Sequence, residues 1–205
     1  MYRLLALYNK PYNPAYPVVC FDEKSKQLLE DSRTPIPMKP GSVQKYDYEY
    51  RRHGTCNIFV AVEPKAGKHH IKVTDTRTKK DFAQFMKWLI DKKYRKVKKI
   101  MMVLDNLNTH FIQSFYEAFS VEECARLLKK IKFIYTPKHA SWLNMAEIEI
   151  NLLDHECLGR NIGSRNELET QVGAWCNQNN IDRRKIFWSF TKYKADKKLS
   201  KYYVS

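Results

Sequence analysis

The chain has no apolar run approaching the roughly 18 to 20 residues that span a bilayer. Its first residues, Met1-Tyr2-Arg3-Leu4-Leu5-Ala6-Leu7, are too short for the apolar core and cleavage site of a signal peptide. Those two absences place it in the cytoplasm. Cysteine is sparse: Cys20, Cys56, Cys124, Cys157 and Cys176 are odd in number, widely spaced and form no CxxC pair, which argues against a disulfide framework and against structural zinc. Proline nearly vanishes in the second half, seven of the eight lying before residue 65. Acidic residues are the scarcer charge, with 22 Asp and Glu against 37 Lys and Arg in 205 residues, a formal charge of +15. That balance excludes an acidic, disordered solvating tail.

What remains is enough for one globular core, with 43% hydrophobic and 13% aromatic residues. The charge is distributed unevenly. Residues 1–100 carry 22 basic and 10 acidic residues, net +12; residues 101–182 carry 7 and 11, net −4; residues 183–205 carry 8 and 1, net +7. An ordinary solvated basic surface accounts for the total. The distribution suits a protein that holds a polyanion with basic flanks around a carboxylate site that needs metal.

The prolines cluster at Pro11, Pro14, Pro17 and at Pro35, Pro37, Pro40, so neither stretch is a regular helix or a central strand. The first is an extended lead-in after a short helical stub, and the second, around Lys39-Pro40-Gly41, a loop. Between them, Val18-Val19-Cys20-Phe21-Asp22 is a short strand ending in a carboxylate. A hairpin follows, 56–62 and 70–74 about Pro64-Lys65-Ala66-Gly67. Thr78 caps a helix whose apolar face is Phe82, Phe85, Met86, Leu89 and Ile90, and the basic run Lys92-Lys93-Tyr94-Arg95-Lys96 suits its C-terminus. Ile100-Met101-Met102-Val103-Leu104 is apolar throughout, as in a strand covered on both faces, and ends at Asp105. Ser120 and Glu123 open a helix containing Cys124, Leu127 and Leu128, and Phe133-Ile134-Tyr135 is a strand. Asn144-x-x-Glu147 opens another, expected to bury Met145, Ile148 and Leu152, with Glu147, Asn151 and Asp154 on its polar face; a last helix covers 167–178. The alternation predicts an α/β fold.

In a mostly parallel sheet, ligands sit beyond the carboxyl ends of the strands, so Asp22 and Asp105 converge if their strands are neighbours, and Glu147 can complete the set from its helix. Oxygen ligands of this kind hold hard divalent cations, and two such ions can activate water and stabilise a leaving oxygen in phosphoryl transfer. Each acid also has a plain structural reading, since Asp favours turns and Glu favours first helical turns. Asn106 and His110 can orient Asp105 or touch a nucleic-acid backbone, and equally can be capping or buried hydrogen-bonded residues; His139 and Asn144 stand in the same relation to Glu147. Trp142, in a loop, suits either packing or stacking on an unpaired base. His69, His70 and His53 read as strand and loop residues rather than as metal ligands.

The segments VVCFDEK (18–24), VLDNLNTH (103–110) and YTPKHASWLNMAE (135–147) resemble, in order, the three carboxylate motifs of DDE transposases in the bacterial insertion-sequence branch of the mariner superfamily. The resemblance extends over nearly the whole chain. It implies a ribonuclease H-like fold with a mixed five-stranded sheet flanked by helices. Within it Asp22 ends the first strand, Asp105 ends the fourth, and Glu147 projects from a helix onto the same site. Residues 1–17 are then a lead-in, 18–180 the catalytic domain and 181–205 a basic C-terminal extension. Asn144-Met145-Ala146-Glu147 stands where many relatives carry Asn-Pro-Ile-Glu, and Glu149 competes for the third acid; it points about 200° around the helix from Glu147. The 41 residues between Asp105 and Glu147 leave room for the helix at 120–130.

The implied activity is hydrolysis of phosphodiester bonds at element ends with two Mg²⁺ or Mn²⁺ ions, then strand transfer into target DNA at TA dinucleotides. Asp22, Asp105 and Glu147 would be both metal ligands and catalytic residues, supported by Asn106, His110 and Asn144. Basic residues of 39–52, 92–99 and 183–201 would hold DNA, among them Lys39, Lys45, Arg51, Arg52, Lys138, Arg183, Arg184 and Lys185. The expected partners are DNA, a second copy in a dimer on DNA, and a helix-turn-helix half in a partner or a fused segment, with no membrane; the location is the cytoplasmic nucleoid. Only about 17 residues precede the first strand, as in one product of a split reading frame or a decayed copy. A non-catalytic DNA-binding remnant and a structure-selective nuclease on the same fold are the alternatives.

Overall fold

The computed structural model describes residues 1–45 and 47–199; Tyr46 and 200–205, including Lys201 of the expected basic extension, lie outside the described residues. Five strands, β1 (Val18–Asp31), β2 (Tyr50–Glu63), β3 (Lys68–Thr74), β4 (Ile100–Leu104) and β5 (Ile131–Tyr135), form one mixed sheet in the order β3-β2-β1-β4-β5. β1, β2 and β3 pair antiparallel, whereas β4 runs parallel to both β1 and β5. The parallel pairs need crossovers, and helices supply them. The crossover into β4 is α2 (Lys79–Trp88), and the one into β5 is α3 (Gln113–Tyr116) with α4 (Val121–Lys130).

Local sequence sets these boundaries. Thr78 and Asp81 form a reciprocal capping box at α2, and Ser120 accepts from the Glu123 N–H at α4. After Trp88 one wider helical turn, Leu89–Lys93, carries the basic run to the base of β4. Period-two alternation then sorts the sheet's two faces. Val19, Phe21, Phe59, Ala61, Met102 and Leu104 pack under α2, α3 and α4. On the other face, Cys20, Val62 and Val103 pack with α1 (Tyr2–Asn9) and the start of α5 (Ala146–Leu153), and Ile58 and Val60 pack with Leu153 and α6 (Arg165–Asp182). The basic C-terminal stretch folds back on this second face. Trp188 tilts against Tyr8, and Ala195 of α7 (Lys192–Leu199) is buried beside α1.

Three expectations are corrected. Asp22 does not end its strand: β1 continues to Asp31. β1 leaves β4 after Cys20 but keeps its ladder to β2, with a register shift between Gln27 and Leu29, so hairpin pairing sustains a polar outer half that shows no apolar alternation. Nor does α5 bury Ile148 and Leu152. Ile148 is 38% exposed and Leu152 half-buried, while Met145, Ala146, Glu149 and Leu153 face the sheet. The helix also begins two residues after Asn144; Asp154, in the wider turn that continues α5, stays off the buried side with Glu147 and Asn151 and pairs with Lys24 at 2.5 Å.

Candidate active site

β1 and β4 lie in parallel register from Val18 opposite Met101 to Cys20 opposite Val103. Continued by two residues, the same offset sets Asp22 opposite Asp105, just beyond the point where the ladder ends. The site sits at that fork. Alternation along β1 sends Asp22 to the face covered by α5 and Glu23 to the face covered by α2.

On the α5 side, Asn144 is fully buried and joins three pieces of chain. Its amide donates to the Phe21 carbonyl at 2.7 Å and stands 3.5 Å from Asp22 Oδ2, and its Oδ1 accepts from the Ala146 N–H at 3.2 Å. Its own carbonyl accepts from the Glu147 N–H at 3.2 Å. One asparagine therefore ties the strand carrying Asp22 to the first turn of α5, where Glu147 stands half-buried.

On the α2 side, His110 is buried between two carboxylates. Nδ1 is 2.6 Å from Asp105 Oδ1 and Nε2 is 2.9 Å from Glu23 Oε2, so the charged ring donates to both. Phe21 and Phe82 pack against the imidazole. Burial alone would lower its pKa, but the hydrogen bonds and charges of Asp105 and Glu23 outweigh it and raise the value to about 9. Asp105 is the reciprocal case: burial pushes it up, and the His110 bond and the Leu107 N–H at 3.1 Å bring it below the ordinary carboxylate value. Asp22 has no such partner. Burial first, then the charges of Glu23 and Asp105, raise it to about 7, against the lowering effects of the Glu23 N–H and His110.

Asn106 does not touch Asp105 through its amide, which donates to the Thr136 carbonyl at 2.7 Å and ties the ends of β4 and β5 together. Trp142 is 46% exposed, with its ring edge-on to Phe190. Lys138 is exposed in the loop after β5, beside His139, whose φ is 60°. Lys39 and Lys45 lie on the arm joining β1 to β2, where bridges pair Ile36 with Lys45 and Lys39 with Ser42, and Arg51 and Arg52 lie on the arm's returning strand. This arm extends from the carboxylate end of β1. Arg183, Arg184 and Lys185 are elsewhere. Arg183 follows α6 against Gly67 in the β2–β3 turn, at the opposite end of the sheet, and Arg184 pairs with Glu156. The run 92–99 lies at that far end too, where the Lys98 and Lys99 N–H groups bond to the Ala15 carbonyl.

Sequence reasoning missed Glu23 and the pairing of Glu149. Glu23 was legible in principle, because a residue adjacent to Asp22 on a strand must face the other side, where the second motif places a histidine. Glu149 is buried and bonded to His69 at 2.8 Å, on the far side of α5 from Glu147.

The donor chemistry fits a hard divalent cation at Asp22 and Asp105: two carboxylates close enough for the charge of Asp105 to raise Asp22, with His110 bonded to Asp105 and not to Asp22. Glu147 is not part of a ready-made cage, since no three His, Cys, Asp or Glu side chains among the described residues are grouped to hold a metal. Among the described residues no helix is long and apolar enough to cross a membrane.

The fold matches solved structures. A Mos1 mariner paired end complex with Mn aligns over 89% of this chain with a TM-score of 0.51 and 17% identity, and the Mos1 strand transfer complex over 91% with a TM-score of 0.53 and 14% identity. The chain spans 54% and 60% of those chains, and the likeness shows a common ribonuclease H-like fold. Among curated proteins none matches. The family model described as DDE superfamily endonuclease matches residues 17–169, which include Asp22, Asp105 and Glu147, and the chain therefore belongs to the DDE superfamily endonucleases.

Proposed function

We propose that this chain is the catalytic part of a DNA transposase of the mariner type, which cuts phosphodiester bonds at element ends and joins the freed 3′ ends to target DNA at TA dinucleotides. The observation that carries the reading is the parallel register of β1 and β4, whose last pair, Cys20 opposite Val103, stands two residues before Asp22 in one segment and two before Asp105 in the other. Family membership and the mariner-like fold support it.

Asp22 and Asp105 would hold Mg²⁺ or Mn²⁺, with Glu147 as the third acid and two ions in the working site. When bound, the metal supplies charge for the phosphoryl oxygens and for the entering and leaving groups. The protein's own residues supply placement. His110 fixes the rotamer of Asp105 and offsets part of the local negative charge. Asn144 sets the start of α5 against β1, and Asp22 offers a carboxylate poorly stabilised without a cation. Lys39, Lys45, Arg51, Arg52 and Lys138 would hold DNA backbone at this end of the sheet, whereas Arg183, Arg184 and Lys185 would contact other DNA or none. Element ends would be read by a helix-turn-helix half, in a partner or in the same polypeptide, within a dimer assembled on DNA.

The test is a nicking and strand-transfer assay on substrates carrying element ends, with the DNA-reading half supplied. Metal-dependent nicking followed by joining at TA is expected. Metal-dependent cutting of branched DNA without joining would make the chain a structure-selective nuclease, and binding without cutting would make it a non-catalytic remnant.

A further inference from the structure

Helix α5 reads Ala-Glu-Ile-Glu-Ile-Asn-Leu-Leu, with apolar residues on nearly every side. Apolarity alone does not select which side faces the sheet. Met145, Ile148 and Leu152 have the helical spacing of a buried stripe, yet Ile148 is 38% exposed while Glu149, one residue on, is 0% exposed. Transfer energetics favour the reverse, since burying an isoleucine stabilises and burying a carboxylate does not.

The buried carboxylate has a dedicated partner. Glu149 Oε2 lies 2.8 Å from His69 Nε2, and both side chains are fully buried. His69 is on β3, and its main chain is clamped by α6: its N–H donates to Asn180 Oδ1 at 2.7 Å and its carbonyl accepts from Asn180 Nδ2 at 2.9 Å. Trp175 of α6 packs edge-on to the ring. The pair is incompletely satisfied, because Glu149 Oε1 and His69 Nδ1 have no hydrogen-bond partner among the described residues. Such a pair contributes little net stability, since taking the carboxylate and imidazole out of water offsets their attraction. What it does contribute is a choice between rotations. A turn of one residue step, about 100°, would bury Ile148 and Leu152 in place of Glu149 and Leu153, and would swing Glu147 by the same angle.

We propose that His69 and Glu149 are positioning residues that select the rotation of α5 and so direct Glu147 toward the carboxylate end of β1 and β4. This rests on Glu147 being the third acid. Glu147 and Glu149 point about 200° apart on one short helix, so the rotation that buries Glu149 is the one that leaves Glu147 half-buried at the helix start.

The experiment compares the full chain with His69→Leu/Glu149→Ser, with the same protein carrying Ile148→Lys in addition, and with Glu149→Gln. The double variant is expected to fold with a melting temperature near wild type, because turning α5 buries Ile148 in place of a polar side chain. Its crystal structure is expected to show α5 turned with Ile148 buried, and metal-dependent cleavage is expected to fall about a hundredfold, as for a displaced reacting group. Ile148→Lys, which forbids the alternative rotation, is expected to restore both. Glu149→Gln keeps a hydrogen bond to His69 and is expected to keep the rotation and the cleavage rate. The proposal is overturned if α5 keeps its wild-type rotation in the double variant, if that variant does not fold, or if Glu149→Gln loses as much cleavage as Glu147→Gln. A wild-type protein without cleavage would refute the transposase reading alone, and the crystal structures would still decide the role of the pair.

Discussion

Asn144 donates its side-chain amide to the carbonyl of Phe21 at 2.7 Å, so the residue two positions before α5 holds the backbone position immediately before Asp22. Because Asn144 is fully buried, neither the Phe21 carbonyl nor the Ala146 N–H can turn to water if it is removed. Asn144→Ala is expected to lower unfolding stability by about 2 to 3 kcal/mol in a urea titration, with metal-dependent cleavage reduced in protein that is still folded. A stability loss without a cleavage defect would make the asparagine a packing residue only.

His110 makes a second prediction. Two carboxylates face one imidazole, and Glu23 and His110 are almost fully buried. His110→Ala leaves Asp105 without the imidazolium and Glu23 with the more distant Arg77, at 3.9 Å, and is expected to destabilise by about 3 kcal/mol. Adding Glu23→Gln to His110→Ala removes one poorly compensated charge and should recover part of that loss. The measurement is the pair of melting curves, and additivity of the two changes would contradict the coupling.

His70 sets a pH dependence away from the acids. Its burial, followed by the charges of Lys93 and Lys68, lowers its pKa from the ordinary imidazole value to about 3, and its ring bonds to the Tyr94 hydroxyl at 3.2 Å. Between about pH 6.5 and 3 the unfolded chain therefore holds a proton that the folded chain refuses. Stability falls as the pH drops through that window, by up to about 1.4 kcal/mol per pH unit. Urea midpoints at pH 7 and pH 4.5 should separate more for wild type than for His70→Gln; equal separations would sink the assignment.

The two basic groups at opposite ends of the sheet should behave differently with salt. Lys39, Lys45, Arg51 and Arg52 lie on the arm that leaves the carboxylate end. Replacing all four with Ala is expected to make the slope of log affinity for duplex DNA against log salt shallower by about 3 to 4. Replacing Arg183, Arg184 and Lys185 is expected to leave cleavage of a bound end near wild type, since they flank the β2–β3 turn. The reverse pattern would place the DNA on the other end of the domain.

Much of the fold was legible because its signals are local. The apolar run before Asp105, the hairpin at 56–74 and the caps at Thr78 and Ser120 each depend on neighbours in the sequence. The outer half of β1 was not legible, because the polar segment after Asp22 carries no apolar period of its own and is held by its ladder to β2, from Asp22 opposite Val60 to Asp31 opposite Tyr50. The rotation of α5 was also hidden. Its sequence offers two stripes, and the choice between them is made by His69, 80 residues away. At the site, Asp22 and Asp105 were marked by the apolar runs before them and by motif likeness, although only Asp105 follows the end of its strand, while Glu23 needed the alternation of β1 and the position of His110 to be known together.

The central claim is that Asp22 and Asp105, with Glu147, form one metal-dependent DNA-cutting site. The most direct measurement is single-turnover cleavage of an element-end duplex in Mn²⁺ by folded wild type, Asp22→Asn, Asp105→Asn, Glu147→Gln and Glu149→Gln, with the DNA-reading half supplied. Cleavage should be abolished by the first three substitutions and retained by the fourth. Cleavage that survives Asp22→Asn or Asp105→Asn would contradict the account.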